Sequence, residues 1–283
     1  GYASAMVKNS NYTGVVVKGY NYVGGLVGFL TKSVADSYSE TYVEGKGNNV
    51  GGLIGFSFTR ESNVDVLLVS KTYFKGTVKG ENFVGGLIGK DSTYDSMGSY
   101  KKYFMNSFSE GDVKGSGSVG GLFGSVASAY DKGMAIDSCY HKNGNVIASS
   151  NYAGGLIGRT FNRYLSLKDV SHSNGYVEGM GYVGGLIGYH YAYSGSVKNA
   201  FANAHVKGRD YTGGLIGYSA TEIEDCYHIG NVYGETYVGG VAGFSIYTVI
   251  NSFNKGNIAG LSIIGGLSGK ASDIVNSFSE GSV

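Results

Sequence analysis

The stretch YVGGLIGY at residues 182–189 decides the fold, because variants of it recur along the chain. The intervals between successive glycine pairs are 27, 34, 35, 34, 30, 29, 26 and 26 residues. A fixed period of roughly 20 to 50 residues is typical of architectures that stack one supersecondary unit on the next. The first glycine of each pair stands at Gly24, Gly51, Gly85, Gly120, Gly154, Gly184, Gly213, Gly239 and Gly265.

Each repeat contains three short apolar segments: V-G-G-L-I, then x-V-x-N-S-F as at residues 103–108, then G-x-V-x-G as at residues 76–80. Segments of this length, bounded by Gly, Asn or Ser, are typical of strands rather than helices. A single coil cannot bury its own apolar face, so neighbouring coils must stack. We therefore predict an all-β fold, a β-solenoid or parallel β-helix with three strands per coil and nine to ten coils, as one domain over residues 1–283.

Stacking places equivalent residues above one another in columns. The leucine after each glycine pair is predicted to lie in the core and the residue after it to be partly exposed. The glycines themselves indicate a bend, because a side chain there would collide with the neighbouring coil. The predicted aromatic column, from which only its histidine departs, is Tyr12, Tyr38, Tyr73, Phe108, Tyr140, His172, Phe201, Tyr227, Phe253 and Phe278.

Two polar features of the repeat could be taken for metal-binding or reactive sites, but their positions favour a structural role. An Asn/Asp column precedes the aromatic one, where side-chain amides can bond each other and the turn backbone. Cys139 and Cys226 share a column but lie three coils apart, roughly 14 Å along the axis. Because that exceeds the reach of a disulfide or a shared zinc ion, we predict two free thiols in place of serine. We expect no metal site and no cofactor.

Composition and motifs exclude several function classes. The chain has 283 residues, 50 glycines, 25 tyrosines and a formal net charge of +1. This balance gives no basic patch for nucleic acid, and no apolar run is long enough to insert into a membrane. The GGLIG sequence fits neither a dinucleotide fingerprint nor a P-loop. We therefore interpret the glycines as structural.

The length differences between repeats all fall directly after GGLIG. Five consecutive coils are predicted to carry long loops at about residues 56–68, 90–103, 125–135, 159–168 and 189–197. Insertions on one side of a solenoid often form a binding face, although surface loops also lengthen at little cost. The candidate ligand-binding residues are Arg60, Tyr94, Tyr100, Lys102, Tyr103, Tyr130, Phe161, Arg163, Tyr164, His190, Tyr191 and Tyr193.

The G-G-L-[IV]-G signature in units of 26 to 35 residues resembles the GLUG motif repeat. That repeat occurs in bacterial secreted and surface proteins, including immunoglobulin A metalloproteases of Gram-positive bacteria. The resemblance implies an extracellular or cell-surface location. In those proteases catalysis lies in a separate zinc domain with an H-E-x-x-H helix, a motif that this chain lacks. We therefore predict no enzymatic activity for this segment.

Three functional hypotheses remain. The first is a non-catalytic adhesin, binding or spacer module whose partner is a host protein or glycan. The second is an accessory repeat region of a secreted metalloprotease. The third is a carbohydrate-active β-helix enzyme, although no pair of acidic residues for glycoside hydrolysis is evident in the repeat. Solenoids normally carry caps over their open ends, so we expect flanking domains of the same polypeptide to cover them.

Overall fold

The repeats stack into parallel sheets that run the length of the molecule. The computed structural model describes residues 1–60, 66–94, 101–128, 133–162, 164–192 and 194–283. Within these ranges every strand pairing is parallel, and equivalent strands of successive coils lie side by side in four sheets. The predicted β-solenoid is therefore confirmed.

Sheets A and D meet at the glycine pairs. Sheet D contains Val23–Gly24, Asn48–Gly51, Asn82–Gly85, Ser118–Gly120, Tyr152–Gly154, Tyr182–Gly184, Tyr211–Gly213, Thr236–Gly239 and Ser262–Gly265. Sheet A contains Tyr2–Ala3, Val27–Leu30, Ile54–Arg60, Ile88–Tyr94, Phe123–Ser128, Ile157–Asn162, Ile187–Tyr191, Ile216–Ser219, Ala242–Ser245 and Ser268–Lys270.

Sheets B and C complete each coil. Sheet B contains Val7–Lys8, Val34–Ala35, Val66–Ser70, Lys101–Met105, Gly133–Asp137, Tyr164–Lys168, Ser194–Lys198, Glu222–Glu224, Val249–Ile250 and Ile274–Val275. Sheet C contains Asn11–Gly19, Tyr38–Gly45, Tyr73–Lys79, Phe108–Glu110, Val113–Gly115, Tyr140–Lys142, Val146–Ala148, Ser171–Glu178, Phe201–Lys207, Tyr227–Ile229, Val232–Tyr233, Phe253–Lys255, Ile258–Ala259 and Phe278–Glu280.

The glycine pair forms a corner, so the first of the three predicted strand segments is shared between two of the four sheets. In one coil, for example, the strand Asn48–Gly51 of sheet D is followed by the strand Ile54–Arg60 of sheet A, and Gly52 and Leu53 form the bend between them. A Cβ on Gly51 would lie 1.9 Å from the carbonyl oxygen of Ile54, and one on Gly52 would lie 2.1 Å from that of Gly86 in the next coil. The predicted bend is confirmed, and it divides the V-G-G-L-I segment between two sheets.

The core follows the apolar columns. The valines of the third segment pair with one another from Val17 to Ile258, and the leucines after the glycine pairs are buried in all the middle coils. The residue after the leucine is buried as well, as Ile54 and Ile88 show, so its predicted partial exposure is wrong. The corner at the glycine pair turns both side chains toward the interior.

Two members of the predicted aromatic column stand one residue out of register. Ser171 pairs with Tyr140, whereas His172 pairs with His141 in the adjacent inward-facing column. Likewise Tyr38 pairs with Asn11 rather than Tyr12. In both coils the pairing shifts further along the strand, after Ser173 and after Thr13. Each bulge adds one residue between the aromatic column and the valine column. An alignment that counts back from the valine therefore places the aromatic column one residue out of register in these two coils.

The Asn/Asp column has a conformational cause. Its members adopt left-handed backbone conformations, with φ of 48° at Asp36, 50° at Asn106 and 46° at Asn251. Asn and Asp tolerate this region better than other side chains, so they turn the chain between sheets B and C. The predicted bonding between stacked side chains is also present, since Asn251 Nδ2 donates to Asp225 Oδ1 at 3.1 Å.

Candidate ligand-binding face

The length differences between repeats build a ridge of lengthened strands. We define the insertion ridge as residues 54–60, 66–70, 88–94, 101–105, 123–128, 133–137, 157–162, 164–168, 187–191 and 194–198. Here the strands of sheets A and B are five to seven residues long, against two to four in the other coils. The described parts of the predicted loops are therefore mainly strands that continue the stack.

The interior of the insertion ridge is partly polar. Lys102 from sheet B donates from Nζ to Asp91 Oδ2 of sheet A at 2.7 Å, and the two side chains are 0% and 1% exposed. Lys102 also donates to the backbone oxygen of Ser92 at 3.3 Å. Since an isolated buried charge is costly, these contacts explain how an ammonium group is held between two sheets.

A buried histidine, His190, occupies the column of Asp91 in sheet A, three coils further along the stack. His190 Nδ1 lies 2.9 Å from Thr160 Oγ1, and the ring is fully buried. Burial lowers the pKa of His190 to about 4, because desolvation penalises the imidazolium form. The ring is therefore neutral at physiological pH.

These positions correct two of the candidate ligand-binding residues. Lys102 and His190 are each 0% exposed, so neither side chain lies on a surface that a ligand can reach. The strand alternation explains the error, because successive side chains point to opposite faces. Inside the ridge, sheets A and B cover both groups.

The outer face of sheet A carries aromatic rings and two cations. Phe161 is 44% exposed, and its ring lies 5.3 Å from Tyr189 and 6.3 Å from Tyr191. The Arg159 guanidinium lies 4.9 Å from the Phe83 ring. Burial, and secondarily the charge of Arg159, lowers the pKa of Lys90. This face thus combines π surface with positive charge.

The outer face of sheet B carries a shallow groove instead. Tyr103 and Tyr164 stand at its sides, and the groove has a volume of about 250 Å³. Its remaining lining includes Lys101, Gly133, Ala135, Ser166, Ser194 and Gly195. Tyr164 is 45% exposed and Tyr103 is half-buried.

The candidate residues therefore lie on two outer faces rather than one. Phe161 and Tyr191 belong to sheet A, whereas Tyr103 and Tyr164 belong to sheet B. The backbones of Arg60 and Tyr94 pair with each other at the end of sheet A. The remaining candidates, Tyr100, Tyr130, Arg163 and Tyr193, lie outside the described residues.

Sequence reasoning missed the groove because its floor consists of small residues. Ala135 and Ser166 occupy the column of Tyr103, and Gly133 and Ser194 occupy that of Tyr164. Aligning the strands of sheet B would have shown these small residues beside the two tyrosines. That alignment needs the register of the lengthened strands, which the variable segments obscure.

Both cysteines lie in the described part of the chain. Cys139 and Cys226 are free, as predicted. Both are also buried, and burial raises the pKa of each thiol to about 12. Among the described residues, no group of three or more His, Cys, Asp or Glu side chains could hold a metal ion. The same part of the chain has no helix that is long and apolar enough to cross a membrane.

Comparison with known proteins identifies the repeat. A family model described as the GLUG motif matches residues 180–207, which span one complete coil from sheet D to sheet C. This coil carries the GLUG motif. The GLUG coil shares its strand pairings with the coils on both sides, so the resemblance stated from the sequence is confirmed.

The stacked arrangement of the GLUG coil also occurs in a solved structure. A crystal structure from Bacteroides ovatus, provisionally described as an immunoglobulin A1 protease, superposes with a TM-score of 0.52 at 17% identity. The match covers 89% of this chain and 78% of that one. At this identity the likeness shows a shared fold. No curated protein sequence matches the chain significantly.

Proposed function

We propose that this chain is a non-catalytic β-solenoid module of a bacterial secreted or cell-surface protein, and that the insertion ridge binds a host protein or glycan. The observation that carries the proposal is the restriction of lengthened strands to five consecutive coils, with aromatic side chains exposed on the outer faces. Insertions on one side of a repeat architecture commonly form its binding face. The GLUG motif and the Bacteroides ovatus structure support the extracellular location.

A binding role also agrees with the chemistry of the ridge. Its exposed residues include Phe161 and Tyr164, and such rings contribute large contact areas at a small cost in side-chain entropy. Its buried ionisable groups are engaged inside, as Lys102 and Asp91 are with each other. The recognition surface is therefore assigned to the outer faces of sheets A and B.

A variant with a trimmed ridge tests this proposal. In each of the five coils, the segment between sheets A and B is shortened to the length of the connection between Ser219 and Glu222. Asp91 is replaced by serine, the residue found in the same column at Ser57 and Ser219. The fold should persist, because neighbouring coils already use the short connection. Circular dichroism and thermal melting check the fold, and arrays of glycans and human extracellular proteins measure binding.

We expect the parent chain to bind at least one array component and the trimmed chain to lose that binding. A parent that binds nothing, or a folded trimmed variant that binds equally well, contradicts the proposal. Release of reducing ends from any polysaccharide in the same incubations would contradict its non-catalytic part and favour the carbohydrate-active enzyme.

The second candidate is an accessory region of a secreted metalloprotease. The observation that favours it is the fold shared with the Bacteroides ovatus structure. Sequencing the coding region on both sides of this segment tests the idea. A zinc-binding H-E-x-x-H domain in the same polypeptide would support this role, and a complete reading frame without one would refute it.

A further inference from the structure

Most surface rings of this solenoid have neighbours that cover their faces. Tyr38 and Tyr73 stack at a centroid distance of 4.6 Å, and Tyr182 and Tyr211 at 4.8 Å, with ring planes within 3° of parallel. Such a row presents ring edges to solvent, because each face contacts the ring of the next coil. A ligand that stacks on an aromatic face has little access to these rows.

Tyr103 and Tyr164 differ because small residues follow them along the stack. Tyr103 lies between Leu68 and Ala135, and Tyr164 lies between Gly133 and Ser194. Neither ring makes an aromatic contact with another described residue. Among the described residues of these columns, Tyr103 therefore has a large neighbour on one side only, and Tyr164 has none on either side.

The two tyrosines stand at opposite sides of the groove on sheet B. Their coils are separated by the strand Gly133–Asp137, whose Gly133 and Ala135 form part of the groove floor. Lys101 lies two residues before Tyr103, Ser166 lies two residues after Tyr164, and Ser194 follows Tyr164 in the next coil. The hydroxyls of Ser166 and Ser194 make no hydrogen bond within the described residues. The groove thus offers two aromatic rings, each with a polar side chain beside it.

We infer that this groove binds a carbohydrate, with pyranose rings packed against Tyr103 and Tyr164 and their hydroxyls bonded to Ser166, Ser194 and Lys101. The inference rests on the proposed binding function and names its ligand class. A pyranose ring has an apolar C–H face and a polar rim, which match the two kinds of surface. The volume of about 250 Å³ suits one or two sugar rings rather than a folded partner.

The geometry disfavours the other common ligands. An extended peptide cannot add as a strand, because Gly133–Asp137 is already paired on both sides. Apart from the two tyrosines, the apolar lining is limited to Ala135 and the buried Met134, so the groove lacks the long apolar stripe that an amphipathic helix requires. Among its lining residues only lysines carry charge, and Lys102 is neutralised by Asp91, so a nucleic acid backbone finds little to bind.

The test uses the full chain on a glycan array, followed by titration of the best-bound oligosaccharide. Tyr103→Ala and Tyr164→Ala should each weaken binding by about tenfold or more, because each removes a stacking surface. Ala135→Tyr should abolish binding with the fold retained, because the new ring stacks on Tyr103 and fills the groove. Tyr233→Ala is the matched control, since Tyr233 is also 45% exposed but lies on sheet C.

The outcomes separate this inference from the proposed function. Loss of glycan binding in the three groove variants, with binding retained by Tyr233→Ala, supports the inference. If the parent binds a glycan or protein that trimming abolishes but the groove variants do not affect, the inference is overturned and the proposed function stands. If the parent binds no array component, both fail. If Tyr103→Ala or Tyr164→Ala lowers the melting temperature, the result for Ala135→Tyr decides, because this substitution removes no side-chain contact.

Discussion

At the scale of single residues, the ion pair inside the insertion ridge is a feature in which each residue depends on its partner. Lys102 and Asp91 are separated by 11 positions in sequence and join the two sheets of one coil. Their column neighbours are mostly apolar: Leu67 and Met134 beside Lys102, and Val126 beside Asp91. The charges are therefore costly to bury and still more costly to leave alone.

Breaking this pair should destabilise the chain, whereas replacing both partners should not. Lys102→Met leaves an uncompensated carboxylate, so we expect a loss of about 3–5 kcal/mol in the free energy of unfolding. The double variant Lys102→Met, Asp91→Val copies the neighbouring coils and should recover most of that loss. Urea denaturation measures both, and equal stability of the single and double variants would contradict the argument.

The cysteines should be dispensable for stability. Cys139 Sγ donates to the backbone oxygen of Asp137 at 3.2 Å, and Ser107 Oγ donates to that of Met105 at 2.9 Å in the preceding coil. Replacing Cys139 and Cys226 with serine should therefore change the melting temperature very little. A large drop in differential scanning calorimetry would show that the thiols do more than occupy the serine position.

At the scale of elements, the glycine corner and sheet C depend on each other. The second glycine of each pair lies under an inward-facing side chain of sheet C, so a Cβ there would also approach that column. On Gly155, for example, it would lie 2.6 Å from the His172 ring. This column contains Ser39, Phe74, Ser109, His141, His172, Ala202, His228, Asn254 and Ser279.

The buried histidines should make the stack sensitive to acid. Burial lowers the pKa of His141 and His190 to about 4, that of His172 well below its usual value, and that of His228 to a lesser extent. Because the unfolded chain binds these protons near pH 6.5, their contribution to stability is complete above that pH. It is lost as pH falls toward 4, at about 1.4 kcal/mol per pH unit for each of His141 and His190.

Urea unfolding at several pH values measures this slope. His172→Ala introduces the residue type that Ala202 already provides in the next coil of the same column. The double variant His172→Ala, His190→Thr also copies Thr160, which pairs with His190. The slope between pH 6.5 and 4 should decrease stepwise with each substitution. An unchanged slope in the double variant would mean that other groups govern the acid transition.

At the scale of the whole molecule, the coil is the modular unit. Each strand pairs with its equivalents in adjacent coils, so a complete coil removed from the middle leaves matching surfaces. Sheets stay in register only if the deletion equals one repeat.

Deletion of residues 214–239 tests this modularity. The cut joins Gly213 to Gly240 and restores a glycine pair, since the interval is one repeat of 26 residues. We expect a folded chain with a cooperative thermal transition. Deletion of only residues 214–226 joins two different corners and should abolish that transition. If both deletions fold equally well, or neither does, the coil is not the unit of assembly.

The sequence by itself determined the solenoid, because glycine, leucine and valine recur at intervals that only stacked coils explain. It also placed the corner and the free cysteines, since both depend on the local repeat. The tertiary structure decided the fourth sheet, the burial of Lys102 and His190, and the small floor between Tyr103 and Tyr164. These depend on which face of a lengthened strand each side chain occupies. A shift of one residue reverses that face, and the variable segments contain no repeated landmark that fixes the register.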